Sequence, residues 1–187
     1  MKVDLLEVLG IRRAEGVHPP GWKLTAELTI ERAALPERVI LPLSQHIGAP
    51  AKPVVSAGDH VLVGQLIAEA GGACSAPIHA TISGEVKPAA TVISPTTGTP
   101  AAAIVIDGDG EDAWADLDPA TLDSLSAEET LARIAGAGIV GLGGAAFPTH
   151  VKLNRPPESP AHTLLVNGAE CEPYITSDDR LMIENPD

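Results

Sequence analysis

Apolar residues along the first 110 positions come in short runs separated by turn formers. RVILPL (38–43), KPVVSAGDHVLVGQLIAEA (52–70), HATISGEVKP (79–88) and AAAIVIDGDG (101–110) are rich in β-branched residues and broken by Pro and Gly. Runs of this length, with turn signals this close together, predict a small all-β barrel or sandwich. After residue 110 the texture changes. Ser126 followed by Glu129 has the spacing of a capping box and predicts a helix running to about Gly136. HTLLVN (162–167) reads as a strand, and a second helix is predicted near Ser177, with Asp178 and Asp179 in its first turn. The boundary is therefore expected near 110: a β-rich domain over 1–110 and the start of an α/β domain over 111–187. The second part has too few strands for a complete doubly wound sheet.

Two features shape expectations for the β-rich half. GDHVLVGQLIAEA (58–70) followed by SAPIHATISGEV (75–86) resembles the lipoyl/biotinyl-carrier type of β-sandwich. Gly58 and Gly64 would take turn angles that side chains disfavour, and Val61, Val63, Leu66 and Ile67 would fill the interior. A carrier domain needs a lysine at its exposed hairpin tip. Here the tip reads EAGGACSA, and no lysine lies between Lys52 and Lys87. The scaffold is expected without the swinging arm, because fold does not dictate function.

Charge sharpens the division. The chain of 187 residues carries 12 basic and 25 acidic side chains, a formal net charge of -13, distributed as -3 over 1–110 and -10 over 111–187. Such a chain repels polyanions, and its four aromatic residues (Trp22, Trp114, Phe147 and Tyr174) offer little for stacking bases, so nucleic acid is not an expected partner. The longest uncharged stretch of the second half, Ile134 to Pro148, is too short and glycine-rich to cross a bilayer. MKVDLLEVLGIRR does not read as a secretory leader, and the widely separated Cys74 and Cys171 read as reduced thiols of a cytoplasmic protein.

Two motif matches carry no chemistry. DGDGED (107–112) starts like a calcium loop, but Asp112 and Asp118 stand where an EF-hand needs Gly and Glu, so a solvated turn is expected. GAGIVG (136–141) matches G-x-G-x-x-G, yet it follows a helix rather than a strand. Gly136 or Gly138 is the expected left-handed cap.

The informative segments lie further on. In GIVGLGGAAFPTHVKL (138–153), Gly141, Gly143 and Gly144 leave backbone N–H groups accessible, and Lys152 follows Pro148 by about one helical turn. A glycine turn entering a helix is suited to phosphate. The other reading is a tight helix–helix turn packed by small residues. In NGAECEPYITSDDR (167–180), Asn167, Glu170 and Glu172 would lie at a strand's carboxyl end. Asn167 could serve a ribityl chain or flavin ring edge, and the carboxylates could accept from hydroxyls; alternatively the acids are simply solvated. Cys171, flanked by two carboxylates, is expected to be a spectator thiol.

Together, EGVHPPGWKLT (15–25), LPLSQHIGAPAKPVVSAGDHVLVGQ (41–65), SAPIHATISGEV, IVIDGDGEDAW (104–114), AGIVGLGGAAFPTHVKL (137–153) and VNGAECEPYITSDDRLM (166–182) resemble the C subunit of Rnf-type ion-translocating electron transport complexes. The last two also resemble, more distantly, the flavin subunit of complex I. The resemblance implies a barrel-sandwich hybrid followed by the start of an FMN-binding α/β domain. It implies FMN as cofactor and NADH as electron source. Electrons would pass to 4Fe-4S clusters in a C-terminal ferredoxin-like domain, then to other subunits of the complex. It places the protein peripherally on the cytoplasmic face of the bacterial inner membrane, without lipid insertion of its own.

Carried over by position, Gly141, Gly143, Gly144 and Ala145 would hug the FMN and Phe147 would close the loop. Lys152 would reach the phosphate or ring region. Asn167, Glu170 and Glu172 would lie beside flavin and nicotinamide, with Tyr174 near the entrance. No side chain need be catalytic and no metal ligand is expected. Ala146 stands where the family usually has the loop's last Gly, and Ala169 where complex I relatives carry an acid. The cluster-binding cysteine runs are absent from these residues, so the chain is expected to be the N-terminal part of a longer protein or a truncated product. By itself it is expected to be inactive. A soluble flavoprotein reductase and a docking module are the alternatives.

Overall fold

A computed structural model of the chain describes residues 19–94, 98–119, 124–142, 146–156, 161–163, 165 and 167–186. Contacts divide the described residues into two compact units: those of 1–32 with those of 164–187, and those of 33–163.

The larger unit holds seven strands: β1 (Arg38–Pro42), β2 (Lys52–Pro53), β3 (His60–Val61), β4 (Leu66–Glu69), β5 (Ile78–His79), β6 (Gly84–Ile93) and β7 (Pro100–Gly108). They form a four-stranded sheet in the order β1-β7-β6-β3 and a three-stranded sheet in the order β2-β4-β5, with every pairing antiparallel. The long β6–β7 ladder slips its register between Lys87 and Ala90. Pro88 sits in that gap, where a residue with no N–H cannot serve a ladder.

The interior is aliphatic. Val61, Ile67, Ala68 and Ile106 are fully buried and pack with Ile78, Ala80, Ile82, Val86 and Ile104, while all four aromatic rings are exposed. Of the residues expected inside, Val61, Val63 and Ile67 are buried, but Leu66 is 38% exposed. Neighbours on a strand point to opposite faces, so Leu66 and Ile67 cannot both enter the core. An irregularity in the β4–β5 pairing turns Ala68 inward beside Ile67 instead. Gly58 and Gly64 have φ of +94° and +80°, as their turns require.

The hairpin tip that would bear a carrier lysine is held down. Ser75 Oγ donates to Ala49 O (2.8 Å) and accepts from Gly71 N–H (2.8 Å). Ala49 N–H donates to Cys74 O (3.0 Å), and the buried His46 accepts from Ala76 N–H (3.1 Å). A side chain at Gly71 would strike Pro50 O at 1.9 Å, so nothing larger fits against the 46–50 segment.

The aspartates of 107–112 bind no common centre. Asp107 pairs with Arg38 across the β1–β7 ladder. Asp109 accepts from Ser83 Oγ (2.6 Å) and Glu111 N–H (2.9 Å) and pairs with His60 (2.9 Å), tying the turn to the barrel.

Helix α1 (Ala127–Gly136) starts on the expected capping box, with Ser126 Oγ accepting from Glu129 N–H and the Glu129 carboxylate accepting from Ser126 N–H. It ends at Gly138, whose φ is +70°. Gly138 N–H donates to Ala135 O (3.1 Å) and Ile139 N–H to Ile134 O (3.4 Å), the paired bonds of a Schellman cap. GAGIVG is thus a helix stop. Helix α2 (Thr149–Leu153) follows and packs against α1.

In the smaller unit, helix α3 (Ser177–Glu184) opens with Asp178 and Asp179 in its first turn. The HTLLVN stretch differs from expectation. Its described residues are not in a strand, and no strand among the described residues comes from 111–187. A strand needs a neighbour for its N–H and C=O groups, and no ladder pairs these residues among the described ones.

Candidate functional site

The glycine loop is closed at its base. Gly141 N–H donates to Phe147 O (2.9 Å), Thr149 N–H donates to Ile139 O (3.0 Å), and Val140 bridges Pro148. Gly143, Gly144 and Ala145 lie outside the described residues. At Gly141 a side chain would meet only Phe147 backbone atoms at 3.7 Å, an ordinary contact. The position that does require glycine-like geometry is Ala146, at φ +46°. This is the position where the family pattern has Gly. Ala can adopt a left-handed conformation, at a cost of roughly 1–2 kcal/mol. Leu142 and Phe147 are exposed on the loop.

Helix α2 spans only five residues, so little dipole supports an anion there, and Lys152 is a cation on the helix itself. Its side chain makes no ion pair among the described residues. Beside it, His150 Nδ1 is buried without a hydrogen-bond partner. Buried polar atoms are nearly always partnered, so this nitrogen marks a place that another group could complete.

The acidic loop belongs to the smaller unit. Asn167 Oδ1 accepts from Ala169 N–H (3.0 Å), folding an Asx turn and leaving its amide NH2 to donate. Glu170 Oε1 accepts from the N–H groups of Asp178 (2.9 Å) and Asp179 (3.1 Å), which makes Glu170 the cap of α3. Glu172 Oε2 accepts from the Cys171 thiol at 2.6 Å. That bond to a carboxylate, with some desolvation and the carboxylate's charge, pushes the Cys171 thiol above its ordinary range, which favours SH over the thiolate. Tyr174 is exposed and left-handed, with φ +73°.

A family model described as the RnfC barrel sandwich hybrid domain matches residues 11–111, more than half of the chain. The chain belongs to the RnfC family. A second model, the Nuo51 FMN-binding domain, matches residues 134–187 and so covers both loops. RnfC relatives include the C subunit of the proton-translocating ferredoxin:NAD(+) oxidoreductase complex of Clostridium ljungdahlii, 48% identical over 175 residues (92% of this chain, 38% of that protein). The C subunit of the ion-translocating oxidoreductase complex of Rhodobacter capsulatus is 49% identical over 172 residues (90% and 33%). The C subunit of the Na(+)-translocating ferredoxin:NAD(+) oxidoreductase complex of Acetobacterium woodii is 44% identical over 173 residues (89% and 38%). The chain spans 33–38% of the length of these three relatives. Among its described residues no helix is long and apolar enough to cross a membrane, and no cluster of side chains could hold a metal ion.

Of the ten residues assigned to the cofactor, Gly141, Phe147 and Lys152 fall in the larger unit, and Asn167, Glu170, Glu172 and Tyr174 in the smaller. Sequence reasoning missed His150, because an orphaned nitrogen is invisible without packing. It also missed the cap on α3. No local signal marks it, because Thr176 is by its residue type a fitting N-cap and only the structure shows that its side chain makes no cap bond.

Proposed function

We propose that this chain is the flavin-bearing, electron-entry part of the C subunit in a membrane-associated, ion-translocating electron-transport complex. The observation that carries this reading is the FMN-binding family match over 134–187, which spans both the glycine loop and the acidic loop. NADH, or a ferredoxin-coupled donor, would supply electrons for 4Fe-4S clusters of the full-length protein. Other subunits would hold it at the cytoplasmic face of the bacterial inner membrane. The division near residue 110 would separate the barrel from this electron-entry part.

The residues present suit FMN. Lys152 offers a cation for the phosphate, and the orphaned His150 nitrogen lies two residues before it. Loop amides beyond Gly141, whose own N–H is taken by Phe147 O, would add donors. Asn167 keeps its amide to donate to a ring edge, and Glu170 and Glu172 each keep one oxygen to accept from ribityl or ribose hydroxyls. Bound FMN would supply hydride acceptance and one-electron transfer; the protein's part is binding and orientation.

Titrating the protein into FMN tests this through flavin fluorescence. Saturable quenching is expected, with Kd raised about tenfold by Lys152→Ala, the scale of one charge-assisted phosphate contact. Unchanged fluorescence at high protein concentration would refute a working flavin site and favour the docking alternative.

A further inference from the structure

We infer that residues 23–30 form a strap of the unit that carries the acidic loop, with Thr25 and Lys23 as the residues that position Glu170 and Tyr174. The consequence for cofactor binding rests on the flavin reading above; the strap itself does not. The matched barrel-domain range includes these residues, yet their contacts lie with 164–187. Four links, each spanning more than 150 positions, hold the segment. Lys23 Nζ donates to Ile175 O (2.5 Å), and Thr25 Oγ1 bonds Thr176 Oγ1 (2.6 Å). Arg180 donates to Ala26 O (3.3 Å), and Ile30 N–H donates to Glu184 at 3.1 Å. Thr176, Arg180 and Glu184 are spaced by four and share one face of α3, so the strap runs along that face in register. Arg180 and Glu184 also pair with each other.

The link at Thr25 decides where Glu170 goes. Thr176 is the N-cap residue of α3, and a threonine there ordinarily accepts from the second or third helical N–H. Thr176 makes no such bond; its side chain is engaged by Thr25. The two amides it would serve, those of Asp178 and Asp179, are the ones Glu170 takes. A hydroxyl could accept from an amide as well, so Thr25 acts by orientation: its bond holds the Thr176 hydroxyl away from these amides, and the helix start falls to Glu170, which anchors the acidic loop. Lys23 grips the carbonyl immediately after Tyr174, whose left-handed backbone needs such outside support.

The test uses amide exchange over 170–180 and FMN affinity, both on the full chain. Thr25→Val frees Thr176 to cap α3 and releases Glu170. Exchange of the Cys171, Glu172 and Tyr174 amides should rise about tenfold, exchange in β6 and β7 should not change, and FMN Kd should rise severalfold. Thr25→Ser should behave as wild type. The decisive variant is Thr25→Val with Thr176→Val: removing the competing cap should return Glu170 to α3 and restore slow exchange and affinity, which loss of a merely structural contact could not do. Exchange in Thr25→Val equal to wild type, or a double variant worse than the single, overturns the inference. Faster exchange with unchanged FMN affinity overturns the positioning role. Failure of the unaltered protein to quench FMN sinks the flavin reading alone, while exchange still decides the strap.

Discussion

Gly136 and Gly138 stand two residues apart in one motif, and the structure assigns them opposite responses to the same substitution. Gly138→Ala meets two costs. A non-glycine residue at φ +70° costs roughly 1–2 kcal/mol. The new Cβ would also lie 2.4 Å from Pro77 O and 3.3 Å from the Pro77 carbonyl carbon, both backbone atoms. Relieving that overlap means moving α1 away from the barrel face around Pro77, at roughly 1–3 kcal/mol. The lost entropy of the unfolded chain returns about 0.4–1 kcal/mol, leaving a net destabilisation of about 2–4 kcal/mol. At Gly136 nothing lies within 4 Å and the residue is helical, so Ala should stabilise by about 0.5–1 kcal/mol. Thermal unfolding followed by circular dichroism should show Gly138→Ala melting about 5–15 °C lower and Gly136→Ala slightly higher. Equal losses at both positions would refute the cap. They are what a close-approach dinucleotide loop would give, since it needs its glycines alike.

Two further outcomes follow from the titrating groups. Asp109 is held at about 2, against an ordinary 3.8, first by Ser83, then by the Glu111 amide and His60. Its folded pKa lies below the unfolded value, so its stabilisation is complete above about pH 4 and fades as pH falls toward 2. Urea midpoints measured between pH 5 and 2.5 should therefore fall less steeply in Asp109→Asn than in wild type, and identical slopes would sink that assignment. Replacing Glu172 with Gln removes the carboxylate holding the Cys171 proton. Iodoacetamide labelling of Cys171 at pH 8 should then speed up severalfold, and an unchanged rate would contradict the thiol–carboxylate bond.

What can be read without coordinates divides by the range of the forces involved. The capping box at Ser126 and the turns at Gly58 and Gly64 depend on residues within one or two turns of each other. Each is where local chemistry puts it. Leu66 departs from its expected place because alternation lets only one of Leu66 and Ile67 face inward, while the burial of Ala68 beside Ile67 comes from a register irregularity that depends on the partner strand. The HTLLVN stretch departs for a related reason. Its composition suits a strand, but strand formation is a property of a pair, and its sequence says nothing about whether a neighbour exists.

The acidic loop shows the same limit at the level of function. Glu170 and Glu172 read as hydrogen-bond acceptors, and acceptors they are, but one oxygen of each is already committed within the protein. Glu170's commitment depends on Thr176 being occupied by Thr25, a residue 151 positions away. A motif search finds NGAECEPY and assigns every polar atom to the ligand. The structure reduces that donor and acceptor set by what the fold itself consumes, and it brings in residues from the N-terminal segment that no local motif contains. The acidic loop is therefore better described as a helix cap with spare acceptors than as a free cluster of carboxylates. A cap of that kind orients its unused oxygen as firmly as its used one, because both belong to the same rigid carboxylate. That is how the acidic loop could present a defined edge to a flavin.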